Sequence, residues 1–383
     1  MSSSIKVNTD TDLGVFSFMN DSSKTFDINL IVKAINNFSK KDDLSQIDLK
    51  ILQEIENSLN ENKNLPFGFT TQEKNFLLRE KSFDNWIIYL IYRYKFKNYP
   101  KNFYKSEFPI YVLIEIISVC NLRCVMCYQS DKSFTKKPYM GSMDENLFYK
   151  IIDELHEGGT NAITFGSRGE PTLHNKIGDF IDYTSGKFLD FKLITNATRL
   201  NEDLSHRILS SNVNLLTFSI DAYDKKTYEE IRLRSDFDLV FNNINRFNKI
   251  REKHYPNSSL ITRVSGVKVK NSNQNENKFL DFWKPYVDEV GMKSAFERWD
   301  TYSNEPHPDF ITPCSFLWER MYIWFNGLAN PCDSDYKSFL SYGNLKDSSI
   351  KDLWNSKLLD DLRESHLAKK RSSCYPCDRC GAA

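Results

Sequence analysis

Two adjoining stretches of the sequence indicate its fold and its chemistry: Tyr111-Val-Leu-Ile-Glu-Ile-Ile117 and, shortly after it, Cys120-Asn-Leu-Arg-Cys124-Val-Met-Cys127. The first is an apolar, β-branched run, which predicts a buried strand. The second places three cysteines on the following loop, where three thiolates can bind three irons of a cubane cluster and leave the fourth iron open. Zinc is the alternative, but a structural zinc site takes four ligands, usually in closer pairs. The spacing therefore favours an open iron–sulfur cluster over zinc.

Predicted strands and helices alternate between residues 106 and 300. The strands are Tyr111–Ile117, Ala162–Phe165, Phe191–Thr195, Leu215–Ile220, Leu260–Val269 and Val287–Lys293. The helices between them are Met143–Leu155, Ile177–Tyr183, Glu202–Leu209, Lys226–Ile231 with an extension to Ile250, and Asn277–Trp283. Six such repeats predict a parallel sheet, either open and doubly wound or curved into a partial barrel.

Polar residues follow the predicted strands at the points where they end. Gly169-Glu170-Pro171 comes just after the second strand, Thr195-Asn196 ends the third, and Ser219-Ile220-Asp221 ends the fourth. Ligands of parallel sheets and barrels bind at the carboxyl ends of the strands. We therefore expect these residues and the three cysteines to form one site.

The regions on either side of the repeats have different patterns. Residues 1–105 are predicted to be mainly helical, without a catalytic motif; the helices are Ile28–Phe38, Leu44–Leu59, Trp86–Tyr94 and one that begins at a capping box of Thr70 and Glu73. Residues 301–383 begin with a proline-rich linker and contain five of the eight cysteines. So small a lobe has little core and would be stabilised by a metal. We therefore predict three domains, at 1–105, 106–300 and 301–383.

Composition excludes several classes of protein. The 383 residues include 51 basic and 51 acidic side chains, a balance that gives no general attraction to nucleic acid or to anionic membranes. No segment has the about 18 apolar residues that a membrane-spanning helix needs, and the first residues are polar, unlike a signal peptide. Disulfide scaffolds are usually small and secreted. We expect a cytoplasmic protein whose cysteines bind metal, with no nucleic-acid or membrane partner.

The cysteine motif, with its embedded Asn121-Leu122-Arg123, resembles the cluster loop of the radical S-adenosylmethionine (radical SAM) superfamily. Met126 stands where the family places an apolar residue near the adenine. Phe165–Pro171 resembles the glycine–glutamate segment of the family, which implies that Gly169 and Glu170 bind the methionyl amino group. The resemblance also implies that the repeats form a partial (β/α)6 TIM-like barrel.

The same resemblance extends to the later strand ends. It places Thr195, Asn196, Ser219 and Asp221 near the ribose and the methionyl carboxylate. The segment Tyr228–Arg232 resembles one whose arginine pairs with that carboxylate in several members of the family. Arginine suits this role because its planar guanidinium binds carboxylates at two points.

The end of the chain resembles a SPASM-type domain, which carries auxiliary 4Fe–4S clusters. The resemblance rests on Cys314, Gly327–Cys332, Gly343–Leu345, Ile350–Trp354 and Cys374–Cys380. The longest SPASM domains have seven cysteines for two clusters, whereas five are present here, which implies one cluster. The implied ligands are Cys314, Cys332, Cys377 and Cys380. Cys374 is then surplus, and it is open whether it is a spare ligand, a spectator or a catalytic hydrogen-atom donor.

The resemblance implies a radical SAM oxidoreductase or maturase with two 4Fe–4S clusters, one of which binds S-adenosylmethionine. Such an enzyme cleaves S-adenosylmethionine reductively, and the 5′-deoxyadenosyl radical removes a hydrogen atom from the substrate. A flavodoxin- or ferredoxin-like protein would donate the electron. We expect a peptide side chain to be oxidised or modified; the alternatives are a dehydrogenase or epimerase of a sugar, aminoglycoside or nucleotide-sugar, and a non-catalytic iron–sulfur or zinc protein.

Overall fold

A computed structural model describes residues 16–18, 27–41, 44–61, 65, 68, 70–270, 272–294 and 301–381 of the chain. These residues form two compact units, and the chain passes from the first to the second between Lys105 and Ser106. The second unit also includes residues 16 and 17. In the described part of the chain, no helix is both long enough and apolar enough to cross a membrane.

The first unit is helical, as the sequence predicts. Its helices are α1 (Ile28–Phe38), α2 (Gln46–Asn60), α3 (Thr71–Arg79) and α4 (Phe83–Asn98). Helix α3 begins at the predicted capping box, in which the Thr70 amide donates to the Glu73 carboxylate at 2.8 Å. The same buried carboxylate pairs with Arg93 at 2.7 Å and Lys97 at 3.0 Å, both from α4. Although burial alone would raise it, these two cations lower the pKa of Glu73 to about 2.

The second unit is built on one large sheet with helices between its strands. Its strands are β1 (Phe16–Phe18), β2 (Tyr111–Ile114), β3 (Arg123–Cys124), β4 (Ala162–Phe165), β5 (Asp190–Thr195), β6 (Leu215–Ser219), β7 (Arg232–Leu233), β8 (Ile261–Lys268), β9 (Glu289–Ser294), β10 (Met321–Ile323), β11 (Leu328–Asn330) and β12 (Gly343–Asn344). Its helices are α5 (Glu145–Glu157), α6 (Ile177–Thr184), α7 (Glu202–Ser210), α8 (Lys225–Ile231), α9 (Phe237–His254), α10 (Glu276–Trp283), α11 (Phe316–Glu319), α12 (Ile350–Trp354) and α13 (Lys357–Leu367).

Strand order decides between the two parallel architectures. In the described residues the sheet runs β1-β9-β8-β6-β5-β4-β2-β10-β11-β12, and the six strands from β2 to β9 are all parallel to their neighbours. A doubly wound sheet reverses its strand order at a switch point, and this one does not. Because the crossovers of parallel strands are right-handed, an order that never reverses keeps every helix on the same face. The predicted partial barrel is confirmed.

The two faces of the barrel strands differ in chemistry. In β5, Phe191, Leu193 and Thr195 are buried, whereas Lys192 and Ile194, which alternate with them, are partly accessible. The Phe191 ring packs against Phe165 of β4 at 4.8 Å, on the face covered by helices. Because side chains alternate along a strand, Lys192 and Ile194 face the barrel interior.

The cysteine-rich end of the chain extends the barrel sheet. Strand β10 pairs parallel with β2, with Met321 opposite Val112, and β11 and β12 add antiparallel. The pairing covers an edge of β2 that would otherwise expose unpaired backbone groups. It also brings the loops that carry the last five cysteines into the same compact unit as the barrel.

Candidate active site

A cavity of about 250 Å³ opens at the carboxyl ends of the barrel strands. The predicted residues that line it are Cys120, Cys124, Met126, Cys127, Gly169, Glu170, Thr195, Asn196, Ser219 and Arg232. Asp221 is the one predicted residue of this group that is not part of the lining. Residues separated by more than 100 positions in the sequence thus share one pocket, as the strand-end pattern predicts.

The cysteine loop is held by pairing with a distant segment of the chain. Strand β3 pairs antiparallel with β7, so that Cys124 lies opposite Arg232. Three N–H groups point to the sulfur atoms: the Leu122 amide reaches Cys120 Sγ at 3.4 Å, Asn196 Nδ2 reaches it at 3.9 Å, and Arg232 Nη1 reaches Cys124 Sγ at 4.0 Å. Such donors stabilise the negative charge of a thiolate bound to metal.

The chemistry of these thiols fits a cluster better than a single metal ion. Burial raises the pKa of Cys120 and of Cys124 to about 12, so that metal binding must displace their protons. Among the described residues, no three His, Cys, Asp or Glu side chains converge as the ligands of one ion do. In a cubane cluster each cysteine binds a different iron, so its ligands surround a volume and need not meet at one point. The residues present therefore fit a 4Fe–4S cluster with one open iron.

Glu170 is a buried carboxylate held in a ring of donors. Its Oε1 accepts from Thr172 Oγ1 and Thr195 Oγ1, both at 2.6 Å, and its Oε2 accepts from the Asn196 amide at 2.7 Å. Burial raises the pKa of Glu170, and these hydrogen bonds oppose the increase. A bound cation would compensate the buried charge. The fixed carboxylate is suited to an ammonium group.

Gly169 lets the segment that carries Glu170 approach the residues after β2 closely. A Cβ at Gly169 would lie 2.0 Å from the Ile117 carbonyl oxygen, so only glycine fits here. The next residue, Glu170, donates its amide to the Val119 carbonyl at 2.9 Å. The glycine thereby allows the carboxylate to be positioned beside the cysteine loop.

Asn196 connects the carboxylate to the cysteine loop. Its Nδ2 donates to Asn121 Oδ1 at 3.0 Å, while Asn121 Nδ2 donates to Thr198 Oγ1 at 2.9 Å. Thr195, Asn196 and Asn121 therefore form one hydrogen-bonded group around Glu170 and Cys120. The orientation of the cysteine loop and that of the carboxylate are coupled.

Asp221 holds Arg232 and does not face the cavity. Its Oδ2 lies 2.7 Å from Arg232 Nε, and both side chains are almost fully buried. Its Oδ1 accepts from the Val267 amide at 2.8 Å, which fixes the carboxylate to β8. Arg232 lines the cavity with its guanidinium oriented by this pair.

Arg168 also lines the cavity, although the sequence motifs did not identify it as a site residue. Its Nε donates to Glu115 at 2.6 Å, its Nη2 contacts the same carboxylate, and its Nη1 donates to the Tyr336 carbonyl at 2.7 Å. Its guanidinium lies 3.9 Å from the centre of the Trp324 ring. The sequence contained one signal: Glu115 is a carboxylate in an apolar run, and a buried carboxylate needs a cation.

Four of the C-terminal cysteines lie close to one another. Burial raises the pKa of Cys314 and raises those of Cys332 and Cys377 well above their usual range, and the charges of neighbouring cysteines, Cys380 included, raise all three further. Cys332 also packs against the cluster of Leu113, Tyr322 and Trp324. These are the four predicted ligands.

Cys374 is placed differently. Its Sγ donates to the Lys370 carbonyl at 3.6 Å, and it is not among the residues that line the cavity. The charge of Cys374 raises the pKa of Cys377 by less than those of Cys314 and Cys380 do.

Two family models match the chain. The model of the radical SAM superfamily matches residues 114–267, and that of the SPASM iron–sulfur cluster-binding domain matches residues 314–381. The tungsten-containing aldehyde ferredoxin oxidoreductase cofactor-modifying protein of Pyrococcus furiosus is 33% identical over 112 residues, or 29% of this chain and 30% of that protein. The mycofactocin maturase MftC of Mycobacterium ulcerans is 28% identical over 132 residues, 34% of each chain. The matched segment thus spans about a third of these curated relatives.

Solved structures share the fold. SuiB of Streptococcus suis bound to S-adenosylmethionine superposes with a TM-score of 0.52 at 16% identity, covering 76% of each chain. A second structure holds SuiB with its precursor peptide SuiA, with a TM-score of 0.50 at 15% identity, covering 72% of this chain and 71% of that one. The cofactors of this architecture are S-adenosylmethionine and two 4Fe–4S clusters. The chain belongs to the radical SAM superfamily and carries a SPASM domain.

Proposed function

We propose that this chain is a radical SAM enzyme that oxidises or otherwise modifies a side chain of a peptide. One observation carries the proposal: three cysteines from one loop and the buried carboxylate of Glu170 face a single cavity at the carboxyl ends of the barrel strands. A non-catalytic cluster protein has no need of a buried carboxylate beside an open iron. The peptide substrate is supported by the fold shared with SuiB, which has been crystallised with a precursor peptide, and by the similarity to the maturase MftC.

The cavity residues would divide the cofactor between them. Cys120, Cys124 and Cys127 would hold three irons, and Glu170 would bind the methionyl ammonium through its fixed carboxylate. Arg232, oriented by Asp221, would bind the methionyl carboxylate.

The remaining lining residues would hold the nucleoside. Met126 would pack against the adenine, and the polar groups of Thr195, Asn196 and Ser219 would bind the ribose hydroxyls. When bound and reduced, the cluster supplies one electron that splits S-adenosylmethionine into methionine and a 5′-deoxyadenosyl radical able to remove a hydrogen atom from the substrate. The enclosing walls of the cavity would keep water away from this reaction.

The C-terminal cysteines would hold the auxiliary cluster. The proposed ligands are Cys314, Cys332, Cys377 and Cys380. They lie close enough that the charge of at least one other member of this set raises the pKa of each of the first three. Cys374, whose sulfur bonds to a backbone carbonyl, would not be a ligand. A flavodoxin- or ferredoxin-like protein would reduce the enzyme.

The experiment is anaerobic reconstitution followed by two measurements. Iron analysis should give about 8 irons per chain, falling to about 4 in Cys124→Ala and in Cys332→Ala and staying at about 8 in the matched variant Cys374→Ala. Incubation with dithionite and S-adenosylmethionine should yield 5′-deoxyadenosine in the native protein and Cys374→Ala, and none in Cys124→Ala. Formation of no 5′-deoxyadenosine by fully loaded protein would overturn the enzymatic proposal.

The substrate class needs a separate assay. Peptides encoded beside the gene are incubated with the enzyme and analysed by mass spectrometry for a loss of two hydrogens or another mass change. Turnover of a nucleotide-sugar or an aminoglycoside with no change in any peptide would replace the peptide proposal by the sugar alternative, with the radical chemistry left intact.

A further inference from the structure

The interior of the barrel beside the cavity contains a lysine that forms no ion pair with any residue the structure describes. Ile194 lines the cavity, and Lys192 faces the same side of β5 two residues toward its amino end, about 7 Å away along the strand. Lys192 lies opposite Thr164 on β4 and Leu215 on β6. It is enclosed by the barrel and only partly accessible to solvent.

The charged groups that face Lys192 are Arg263, Asp190, Arg320 and Lys293. Arg263 is paired with Glu289 at 2.5 Å, and Arg320 contacts Glu319. Asp190 lies on the same face of β5 as Lys192, but the two described side chains do not form an ion pair. Lys192 itself has no hydrogen bond or ion pair to any described residue. Burial first, and then the charge of Arg263, lower the pKa of Lys192 to about 8.

A second polar group nearby also has no hydrogen-bond partner in the described part of the chain. Thr217, opposite Ile194 on the neighbouring strand β6, has a buried hydroxyl that forms no hydrogen bond to the described part of the chain. The buried Thr217 hydroxyl is costly without a partner, and the Lys192 ammonium, enclosed by the barrel and partly accessible, loses part of its hydration without gaining a counter-ion among the described residues. Both lie on the inner face of the barrel, Thr217 level with the lining residue Ile194 and Lys192 one layer below it, which indicates that a ligand group supplies the partners.

We infer that the barrel interior binds a carboxylate of the substrate between the Lys192 ammonium and the Thr217 hydroxyl. The assignment of this carboxylate to an acidic side chain or to the C-terminus of a peptide rests on the proposed function. One ammonium and one hydroxyl match the two oxygens of a carboxylate. A phosphate needs more donors, and the guanidinium groups that could provide them, Arg263 and Arg320, already bind Glu289 and Glu319.

The test measures the reactivity of Lys192 and does not depend on cleavage of S-adenosylmethionine. Reconstituted protein is labelled with trace acetic anhydride between pH 6.5 and 10, and acetylation at Lys192 is quantified by mass spectrometry. The probe is N-acetylglutamate α-amide, and the matched uncharged control is N-acetylglutamine amide. Lys357, whose side chain is 85% exposed, serves as the internal reference.

The expected result follows from the change in protonation. Without a probe, about half of the Lys192 amine is free at pH 8; a bound carboxylate that restores an ordinary pKa of about 10.4 lowers the free fraction roughly a hundredfold. N-acetylglutamate amide should therefore slow labelling of Lys192 up to roughly a hundredfold, with no change at Lys357 and none with the glutamine analogue. Thr217→Val should weaken this protection while S-adenosylmethionine binding is retained.

Three outcomes would overturn the inference. The first is protection no greater than that by sodium chloride at the same ionic strength, and the second is equal protection by the glutamine analogue. The third is stronger protection by inorganic phosphate, which would assign the site to a phosphorylated substrate. Because the labelling is read on the native protein, a failure of Thr217→Val to fold leaves the inference testable.

Discussion

The buried pair of Arg168 and Glu115 allows a sharp test of how the cavity wall is held. We expect Arg168→Met to destabilise the second unit strongly, because it leaves the Glu115 carboxylate, which is 0% exposed, without its cation. Removal of one member of a buried ion pair costs about 3–5 kcal/mol. The arginine also donates to the Tyr336 carbonyl and lies over Trp324, so the variant loses those contacts as well.

A double variant separates these contributions. In Arg168→Met/Glu115→Leu no buried charge remains, and replacement of a buried pair by apolar residues is often neutral. What the arginine contributes beyond the ion pair is the hydrogen bond to the Tyr336 carbonyl, worth about 1 kcal/mol, and the contact with the Trp324 ring, worth about 1–2 kcal/mol. The double variant should therefore be less stable than the native protein by only about 2–3 kcal/mol, and more stable than the single variant.

Hydrogen exchange in increasing urea is the suitable assay, because it reports on each unit separately. Peptides from β2 and β10 should show the loss in Arg168→Met, whereas peptides from the helices of the first unit should not. The exposed pair of Lys357 and Asp361 gives the matched control, and Lys357→Met should leave stability unchanged within the error of the measurement. A single variant that loses less than 1 kcal/mol, or a double variant that is no more stable than the single, would refute this account of the pair.

Three further predictions concern the site and the first unit. Gly169→Ala should abolish S-adenosylmethionine binding, measured by equilibrium dialysis, because its Cβ would collide with the Ile117 carbonyl. Asp221→Asn should weaken that binding by about tenfold or more and leave the iron content unchanged, because it frees the Arg232 guanidinium from its orienting partner. Glu73→Gln should destabilise the first unit by about 3 kcal/mol at neutral pH, because the pKa of Glu73 is about 2 in the native protein against an ordinary 4.5. This stabilisation is complete above pH 4.5 and is lost as the pH falls through 2, so urea unfolding of both proteins at pH 7 and pH 2.5 measures it.

Each of these predictions has its own control and its own point of failure. Gly186→Ala, where nothing lies within 4 Å of the added Cβ but a φ of 80° disfavours any L side chain, should lose some stability and still bind S-adenosylmethionine normally; equal loss of binding in both glycine variants would reject the collision. Asp238→Asn, at an exposed ion pair, controls for Asp221, and loss of iron in Asp221→Asn would show that this residue supports the cluster loop. A destabilisation by Glu73→Gln that is the same at both pH values would contradict the assigned ion pairs.

The repeats predicted the parallel sheet, but their periodicity could not distinguish an open, doubly wound sheet from a partial barrel. Doubly wound sheets and partial barrels contain the same alternation of strands and helices. The difference lies in which strands pair, and those pairs join residues far apart in sequence, such as Phe218 with Val264. The barrel was predicted from the resemblance of the cysteine loop to that of a known family, and the strand order confirmed this prediction. The pairing of β10 with β2 was not predictable either, because β10 has only three residues, too few to show the alternation that identifies a strand.

In β6 the alternation of side chains predicts the candidate site up to the last paired residue, and it fails beyond that residue. Ser219, the last residue of β6, faces the cavity as strand alternation requires. If the strand continued, Asp221 would face the same side, but pairing ends at Ser219 and the chain turns, so that Asp221 meets Arg232. Glu115 follows the end of β2 in the same way and meets Arg168, 53 residues later in the sequence. A motif at a strand end therefore locates a site. The geometry of the loop after that end decides which side chains contact the ligand and which ones only orient those contacting side chains.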